Sequence, residues 1–106
     1  MKIAGVQMDV QLGKIDSNVE KMITLLKETT AAGAQLTIFP ECAATGYCFE
    51  SLEEAREYAQ SIPGPVTEQM SRACADLNCF AVFGMLEANG SGIFNAAVLT
   101  GPDGVI

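Results

Sequence analysis

The residues of this chain most suited to chemistry are one glutamate, Glu41, and four cysteines, Cys42, Cys48, Cys74 and Cys79. The chain contains no histidine, so a Ser-His-Asp triad or a Cys-His dyad within it is excluded. Acid–base chemistry must therefore use a carboxylate, a lysine, a cysteine or a tyrosine. No two cysteines form a CxxC pair, and without a histidine this spacing argues against a zinc site.

Glu41 directly follows the apolar segment Leu36-Thr37-Ile38-Phe39 and then Pro40. The segment predicts a buried strand, which Pro40 ends because proline has no N–H to donate to a ladder. In parallel sheets, ligands bind beyond the carboxyl ends of the strands. A partly desolvated carboxylate at such a place suits a general base. From the spacing alone, a surface-loop glutamate stays an open alternative.

The elements that must position Glu41 follow a strand-helix-strand order. We predict a first strand at residues 2–9, a helix from a capping box at Ser17 to a stop at Gly33, and a second strand at 36–39. Such a unit pairs its two strands in parallel. Further helices are predicted at 51–59 and 65–77, and further strands at 79–86, 93–100 and 105–106. These elements indicate an α/β fold.

The composition narrows the function classes. The formal net charge is −7 in 106 residues, which disfavours nucleic acid and anionic membranes as partners because both require clustered Lys and Arg. No apolar run approaches the ~20 residues of a membrane span. The N-terminus lacks the long apolar region of a signal peptide. We therefore expect a cytoplasmic protein with reduced thiols.

A set of short motifs runs along the whole chain in a fixed order. Each motif alone is weak, but their order and spacing across essentially all 106 residues are specific. The motifs are Gln7-Met8, Asn18, Phe39-Pro40-Glu41, Thr45-Gly46-Tyr47, Ile62-Pro63-Gly64-Pro65, Gly84 with Glu87, Phe94-Asn95-Ala96-Ala97 and Gly101-Pro102-Asp103-Gly104. On these residues the chain resembles the N-terminal part of the nitrilase superfamily, the carbon-nitrogen hydrolases.

The resemblance implies a four-layer α-β-β-α sandwich, to which this chain contributes a mixed sheet with helices on one face. It also implies hydrolysis of small non-peptide amides, of amidase, ω-amidase or N-carbamoyl type, with an amide or nitrile substrate. The implied catalyst is a Glu-Lys-Cys triad without metal or organic cofactor, in which Glu41 is the glutamate. By the same resemblance Tyr47 lines the substrate pocket, with buried packing as the alternative.

The lysine and the nucleophilic cysteine of that pattern are expected beyond Ile106. We therefore expect residues 1–106 to be the N-terminal portion of a single domain, truncated before both groups and inactive alone. Because one sheet face would lack its cover, we expect the free chain to be marginally stable, to aggregate or to assemble. The full-length enzyme is expected to be a homo-oligomer. The alternative is an inactive nitrilase-like fragment or module that acts by protein association.

Three other residues are candidates near the predicted pocket. Cys42 is expected to be a small buried thiol, since neighbouring side chains of an extended segment point to opposite sides, away from Glu41 in this case. Cys48 is a candidate for the pocket wall. Asn95, on an otherwise apolar strand, is expected to be buried and to brace the backbone of the site loop, with direct substrate contact as the alternative.

Overall fold

The computed structural model describes all 106 residues, which fold around a five-stranded sheet. Strands β1 (Ile3–Gly5), β2 (Leu36–Ile38), β3 (Phe80–Asn89), β4 (Gly92–Gly101) and β5 (Gly104–Val105) lie in this order across the sheet. The first three strands are parallel, and the last three form an antiparallel meander. The mixed sheet and the parallel pairing of β1 with β2 confirm the predictions from the sequence.

Three helices accompany the sheet: α1 (Ile15–Ala31), α2 (Leu52–Arg56) and α3 (Pro65–Leu77). Helices α1 and α3 pack against each other and against one face of the sheet. Their apolar stripes meet the sheet in one core cluster, whose largest fully buried side chains are Met22, Leu26, Met70, Phe83 and Met85. No helix combines the length and the apolar character needed to cross a membrane.

The second face of the sheet is exposed. Along β1, β2 and β3, Ile3 is 55% exposed, Ile38 43% and Phe80 39%. The largely apolar sequence of the predicted first strand is typical of a strand covered on both faces, but α1 and α3 cover only one face in this chain, so that interpretation is wrong. The first strand is also shorter than the predicted residues 2–9. Helices on one face and an open second face agree with the predicted architecture.

The helix ends test the capping predictions. The predicted cap at Ser17 is wrong, because α1 begins at Ile15 with Lys14 as an N-cap that makes no side-chain hydrogen bond. Gly33 does stop α1, with φ of +97°, a conformation that favours glycine. At α2, the sequence Ser51-Leu52-Glu53-Glu54 is typical of a capping box, and the Ser51 hydroxyl accepts the Glu54 N–H at 3.1 Å. That helix ends at Arg56, earlier than predicted.

Candidate active site

Residues 40–48, which we call the site loop, leave the carboxyl end of β2, and the Glu41–Cys42 backbone of this loop lies against Gly84 of β3. The parallel ladder continues beyond β2, because the Phe39 N–H donates to the Val82 carbonyl at 2.8 Å. The Gly84 N–H then donates to the Pro40 carbonyl, and the Ala44 N–H donates to the Gly84 carbonyl, both at 3.3 Å. These bonds fix the loop, and Glu41 with it, over the middle of β3.

Gly84 makes this close approach possible. Its neighbours Phe83 and Met85 lie fully buried, so a side chain at position 84 would project onto the opposite, open face. A Cβ there would collide with the backbone nitrogen of Cys42 and with the Glu41 backbone. A glycine inside a strand often marks such an approach of another backbone. Gly84 therefore lets the site loop lie directly on the sheet.

Asn18 holds the far side of the site loop. This side chain is 1% exposed, and its amide nitrogen donates to the carbonyls of Gln11 at 2.8 Å and of Ala44 at 3.0 Å. Its amide oxygen accepts the Gln11 N–H at 2.9 Å. All the hydrogen-bonding partners of Asn18 are thus backbone groups. The clamp ties residues 11 and 44 to the first turn of α1, which explains why that helix begins before Ser17.

Glu41 stands between two cavities. One, of about 330 Å³, is lined by Glu41, Tyr47 and mostly apolar neighbours, and the other, of about 320 Å³, lies along β3 and β4. The Glu41 side chain is exposed, so in this chain the carboxylate lacks the partial desolvation that suits a general base. The neighbours of Glu41 and Tyr47 in the first cavity are Met8, Val10, Leu12, Pro40, Cys42, Gly46 and Cys48.

Tyr47 and Cys48 both line the first cavity. The Tyr47 side chain is 67% exposed, so the alternative of buried packing is wrong. Cys48 is exposed as well. The sequence therefore identified two residues that the fold brings into the same cavity as Glu41, although they follow it by six and seven positions along the loop.

The carboxylate of Glu41 is held by a side chain from a distant strand. The Asn95 amide nitrogen donates to Glu41 Oε1 at 2.5 Å. The Cys42 thiol donates to the Asn95 amide oxygen at 3.4 Å. Asn95 is exposed rather than buried, because its face of the sheet is open. It also bonds the side chains of the site loop and not the backbone, which corrects the prediction made from the sequence.

Cys42 is a poor nucleophile in this environment. The residue is 1% exposed, which confirms the predicted buried thiol, but its backbone is left-handed, with φ of +47°, rather than extended. Burial raises the pKa of the Cys42 thiol, and the negative charge of Glu41 raises it further. Since the thiolate is the reactive form of cysteine, Glu41 does not activate its neighbour.

The remaining candidate groups lie away from Glu41. Cys74 and Cys79 are buried in the core. None of the four lysines lines either cavity beside Glu41. No group of three or more His, Cys, Asp or Glu side chains is arranged to bind a metal ion. The site in residues 1–106 thus consists of one carboxylate, its amide partner and a cavity.

Comparison with known proteins identifies the family. The family model described as carbon-nitrogen hydrolase matches residues 2–106. The chain belongs to the carbon-nitrogen hydrolase family. A nitrilase of Pyrococcus abyssi is 41% identical over 107 residues, which cover 100% of this chain and 41% of the relative. The omega-amidase NIT2 of Danio rerio is 32% identical and matches 99% of this chain and 37% of its own length. This carbon-nitrogen hydrolase chain therefore spans about two fifths of the length of these relatives.

Solved structures share the carbon-nitrogen hydrolase fold of this chain. An N-terminal amidase superposes with a TM-score of 0.81 over 96% of this chain and 25% of its own, at 24% identity. XC1258 of Xanthomonas campestris, a CN-hydrolase superfamily protein with an arsenic adduct in its active site, superposes with a TM-score of 0.77 over 92% of this chain and 35% of its own, also at 24% identity. At this identity the likeness establishes the fold alone.

Two residues that shape the site have roles that sequence reasoning did not assign. Gly84 and Asn18 both belong to the ordered motifs, but neither was linked to the path of the site loop. The available signal for Gly84 was a glycine within an apolar strand. For Asn18 it was a polar residue among the apolar positions of a helix, because a buried amide requires partners.

Proposed function

We propose that the protein containing this chain hydrolyses carbon-nitrogen bonds of small non-peptide amides, of amidase, ω-amidase or N-carbamoyl type, with Glu41 as its general base. The observation that carries this proposal is the placement of the Glu41 carboxylate. It stands on a strand-end loop at the wall of two cavities and is fixed by Asn95. Membership of the carbon-nitrogen hydrolase family supports the reaction class.

In the proposed reaction, Glu41 takes the proton from a cysteine thiol, and the thiolate attacks the amide carbon. The amine or ammonia leaves with a proton returned by Glu41, and the acyl group stays on sulfur as a thioester. Glu41 then removes a proton from water, which attacks the thioester and releases the acid. A lysine stabilises the developing oxyanion. We propose that this cysteine and lysine lie outside residues 1–106.

The geometry of Glu41 is compatible with proton transfer. Asn95 occupies Oε1, whereas no group of the chain donates a hydrogen bond to Oε2. The second oxygen is therefore available to accept a proton from a group that reaches the cavity. We propose that Tyr47, which lines the same cavity of about 330 Å³, contacts the substrate through its ring and hydroxyl.

Replacement of the carboxylate tests this role. In the full-length protein, Glu41→Gln keeps the shape of the side chain but cannot take up a proton, and we expect kcat for ammonia release to fall by about 10²- to 10⁴-fold. The assay would use an ω-amide, an N-carbamoyl compound and an aliphatic nitrile. Glu28→Gln, an exposed position on α1, is the matched control. Unchanged turnover in Glu41→Gln would remove Glu41 from the mechanism.

Protein association is the second candidate function. The exposed apolar side chains of the open sheet face, among them Ile3, Ile38 and Phe80, favour it, as does the absence of a suitably placed lysine and nucleophilic cysteine. In this proposal residues 1–106 have no hydrolase activity of their own. Ammonia release by the 106-residue chain alone, abolished by Glu41→Gln, would contradict it.

A further inference from the structure

The amide of Asn95 connects two neighbouring residues of the site loop. Its nitrogen donates to Glu41 Oε1 at 2.5 Å, and its oxygen accepts from the Cys42 thiol at 3.4 Å. Asn95 lies on β4, opposite Leu86 of β3, so it is carried by the regular antiparallel ladder. The loop residue Glu41 is therefore held by a side chain whose own backbone is fixed by the sheet.

Glu41 and Cys42 favour the same orientation of this amide. A carboxylate only accepts hydrogen bonds, so the Glu41 side chain requires the amide nitrogen as its donor. Burial keeps the Cys42 thiol protonated, with a raised pKa, so the thiol can donate to the amide oxygen on the other side. A reversed amide would place its oxygen against the Glu41 carboxylate and would lose the hydrogen bond that the thiol donates.

The backbone supports the same arrangement. Cys42 adopts φ of +47°, which is uncommon for a residue with a side chain and which persists where the surroundings impose it. Gly84 admits the Glu41–Cys42 backbone against β3. This conformation places the Glu41 side chain in solvent and the Cys42 side chain in the protein, yet leaves both within reach of the one amide.

We propose that Asn95 is a positioning residue for the general base, and that the Cys42 thiol fixes the orientation of its amide. This inference rests on the proposed function of Glu41 and deepens it. Asn95 occupies one carboxylate oxygen and directs the other toward the cavity where the reacting groups meet. Cys42 thereby has a role that uses its thiol as a hydrogen-bond donor and not as a nucleophile.

Kinetics of the full-length protein test the role of Asn95. We expect Asn95→Ala to lower kcat by about 10- to 100-fold, with KM within about three-fold of wild type, since misplacement of a catalytic group acts mainly on the chemical step. Asn89→Ala, which alters another exposed asparagine of the same hairpin, is the matched control and should retain wild-type kcat. Wild-type kcat in Asn95→Ala, in an active enzyme, would overturn the proposal.

Two substitutions of Cys42 test whether its thiol orients the Asn95 amide. Cys42→Ala removes the donor, whereas Cys42→Ser keeps one and has the same backbone requirements. We expect kcat to fall by about three- to ten-fold in the alanine variant and to recover to within about two-fold of wild type in the serine variant. Equal losses in both variants would show that packing, and not the hydrogen bond, explains the role of Cys42, and would overturn this part.

A spectroscopic readout separates this inference from the proposed function. With selectively ¹⁵N-labelled asparagine, the side-chain amide signals of Asn95 are identified by their loss in Asn95→Ala. We expect them to shift in Glu41→Gln and in Cys42→Ala, and not in the Glu28→Gln control. If the wild-type protein releases no ammonia from any amide or nitrile, the proposed function fails. If the Asn95 side-chain amide signals do not shift in Glu41→Gln, the positioning inference fails, whatever the activity of the protein.

Discussion

Two asparagines hold opposite sides of the site loop in different ways. Asn18 is 1% exposed, and its side chain bonds only backbone groups, those of Gln11 and Ala44. Asn95 is exposed, and its side chain bonds only side chains, those of Glu41 and Cys42. The same residue type thus serves two purposes. Asn18 fixes where the loop runs, and Asn95 fixes where its carboxylate points.

The difference between these two regions predicts different consequences. A buried amide that satisfies backbone groups contributes to stability, because its removal leaves those groups buried and unpaired. An exposed amide has little effect on stability, because water can replace the lost partner. Its effect must appear in the function of the group that it holds. The stability of the fold and the activity of the site are therefore expected to depend on different asparagines.

The largest stability effect is expected for Asn18→Ala. The variant removes three hydrogen bonds and leaves the backbone of Gln11 and Ala44 without those partners, so the free energy of unfolding should fall by about 2–4 kcal/mol. Asn95→Ala should lower it by less than ~1 kcal/mol. Urea unfolding of the full-length protein, followed by far-UV circular dichroism, measures both.

The comparison of the two asparagines would fail if the two variants lost equal stability. A loss of several kcal/mol in Asn95→Ala would show that this residue also supports the fold, and the kinetic effect could not then be assigned to positioning alone. Asn89→Ala, at the exposed end of the hairpin, sets the baseline for an asparagine without either role and should lie within about 0.5 kcal/mol of wild type.

Two of the three buried thiols, those of Cys42 and Cys74, extend the comparison to a smaller effect. The Cys42 thiol donates a hydrogen bond to the Asn95 amide oxygen in the site. The Cys74 thiol instead forms a hydrogen bond of 3.4 Å with the Thr100 hydroxyl in the core. Burial raises the pKa of Cys74 from 9.0 to about 11, and Cys79 adds to this rise while the Thr100 hydroxyl opposes it. The unfolded chain therefore loses this proton at lower pH than the folded chain. Stability from Cys74 is fully present below pH ~9 and is lost as pH rises toward ~11.

Cys74→Ser tests this pH dependence, because a serine does not ionise in that range. We expect the urea midpoint of the wild type to fall more between pH 8 and pH 10 than that of the variant. Activity at pH 8 should be the same in both, since Cys74 does not contact the site loop. An equal fall in the two proteins would show that Cys74 does not contribute to alkaline unfolding.

Much of the fold could be predicted from the sequence, because its signals are local. Periodicity and turn residues located the five strands and three helices, and the strand-helix-strand order placed Glu41 at the carboxyl end of β2. The error at Ser17 has a tertiary cause, since Asn18 draws the preceding loop onto the helix. The open sheet face explains why β1 and Asn95 are more exposed than their apolar surroundings indicated.

The bond between Asn95 and Glu41 could not be predicted in the same way. The two residues are 54 positions apart, and their contact depends on the β3–β4 register, in which Gly84 faces Ala97 and Leu86 faces Asn95. A shift of one residue would turn the Asn95 side chain to the opposite face. Turn residues 89–92 predict a hairpin but do not fix its register to one residue. The contact between the Asn95 and Glu41 side chains could therefore be identified only from the structure.

A double-variant cycle with Glu41→Gln and Asn95→Ala in the full-length enzyme tests the central claim most directly. If Asn95 acts through Glu41, its loss matters little once the base is gone. We predict that kcat for ammonia release falls by about 10²- to 10⁴-fold in Glu41→Gln and that adding Asn95→Ala changes it by less than about three-fold. Losses that multiply in the double variant would contradict the account, as would wild-type kcat in Glu41→Gln.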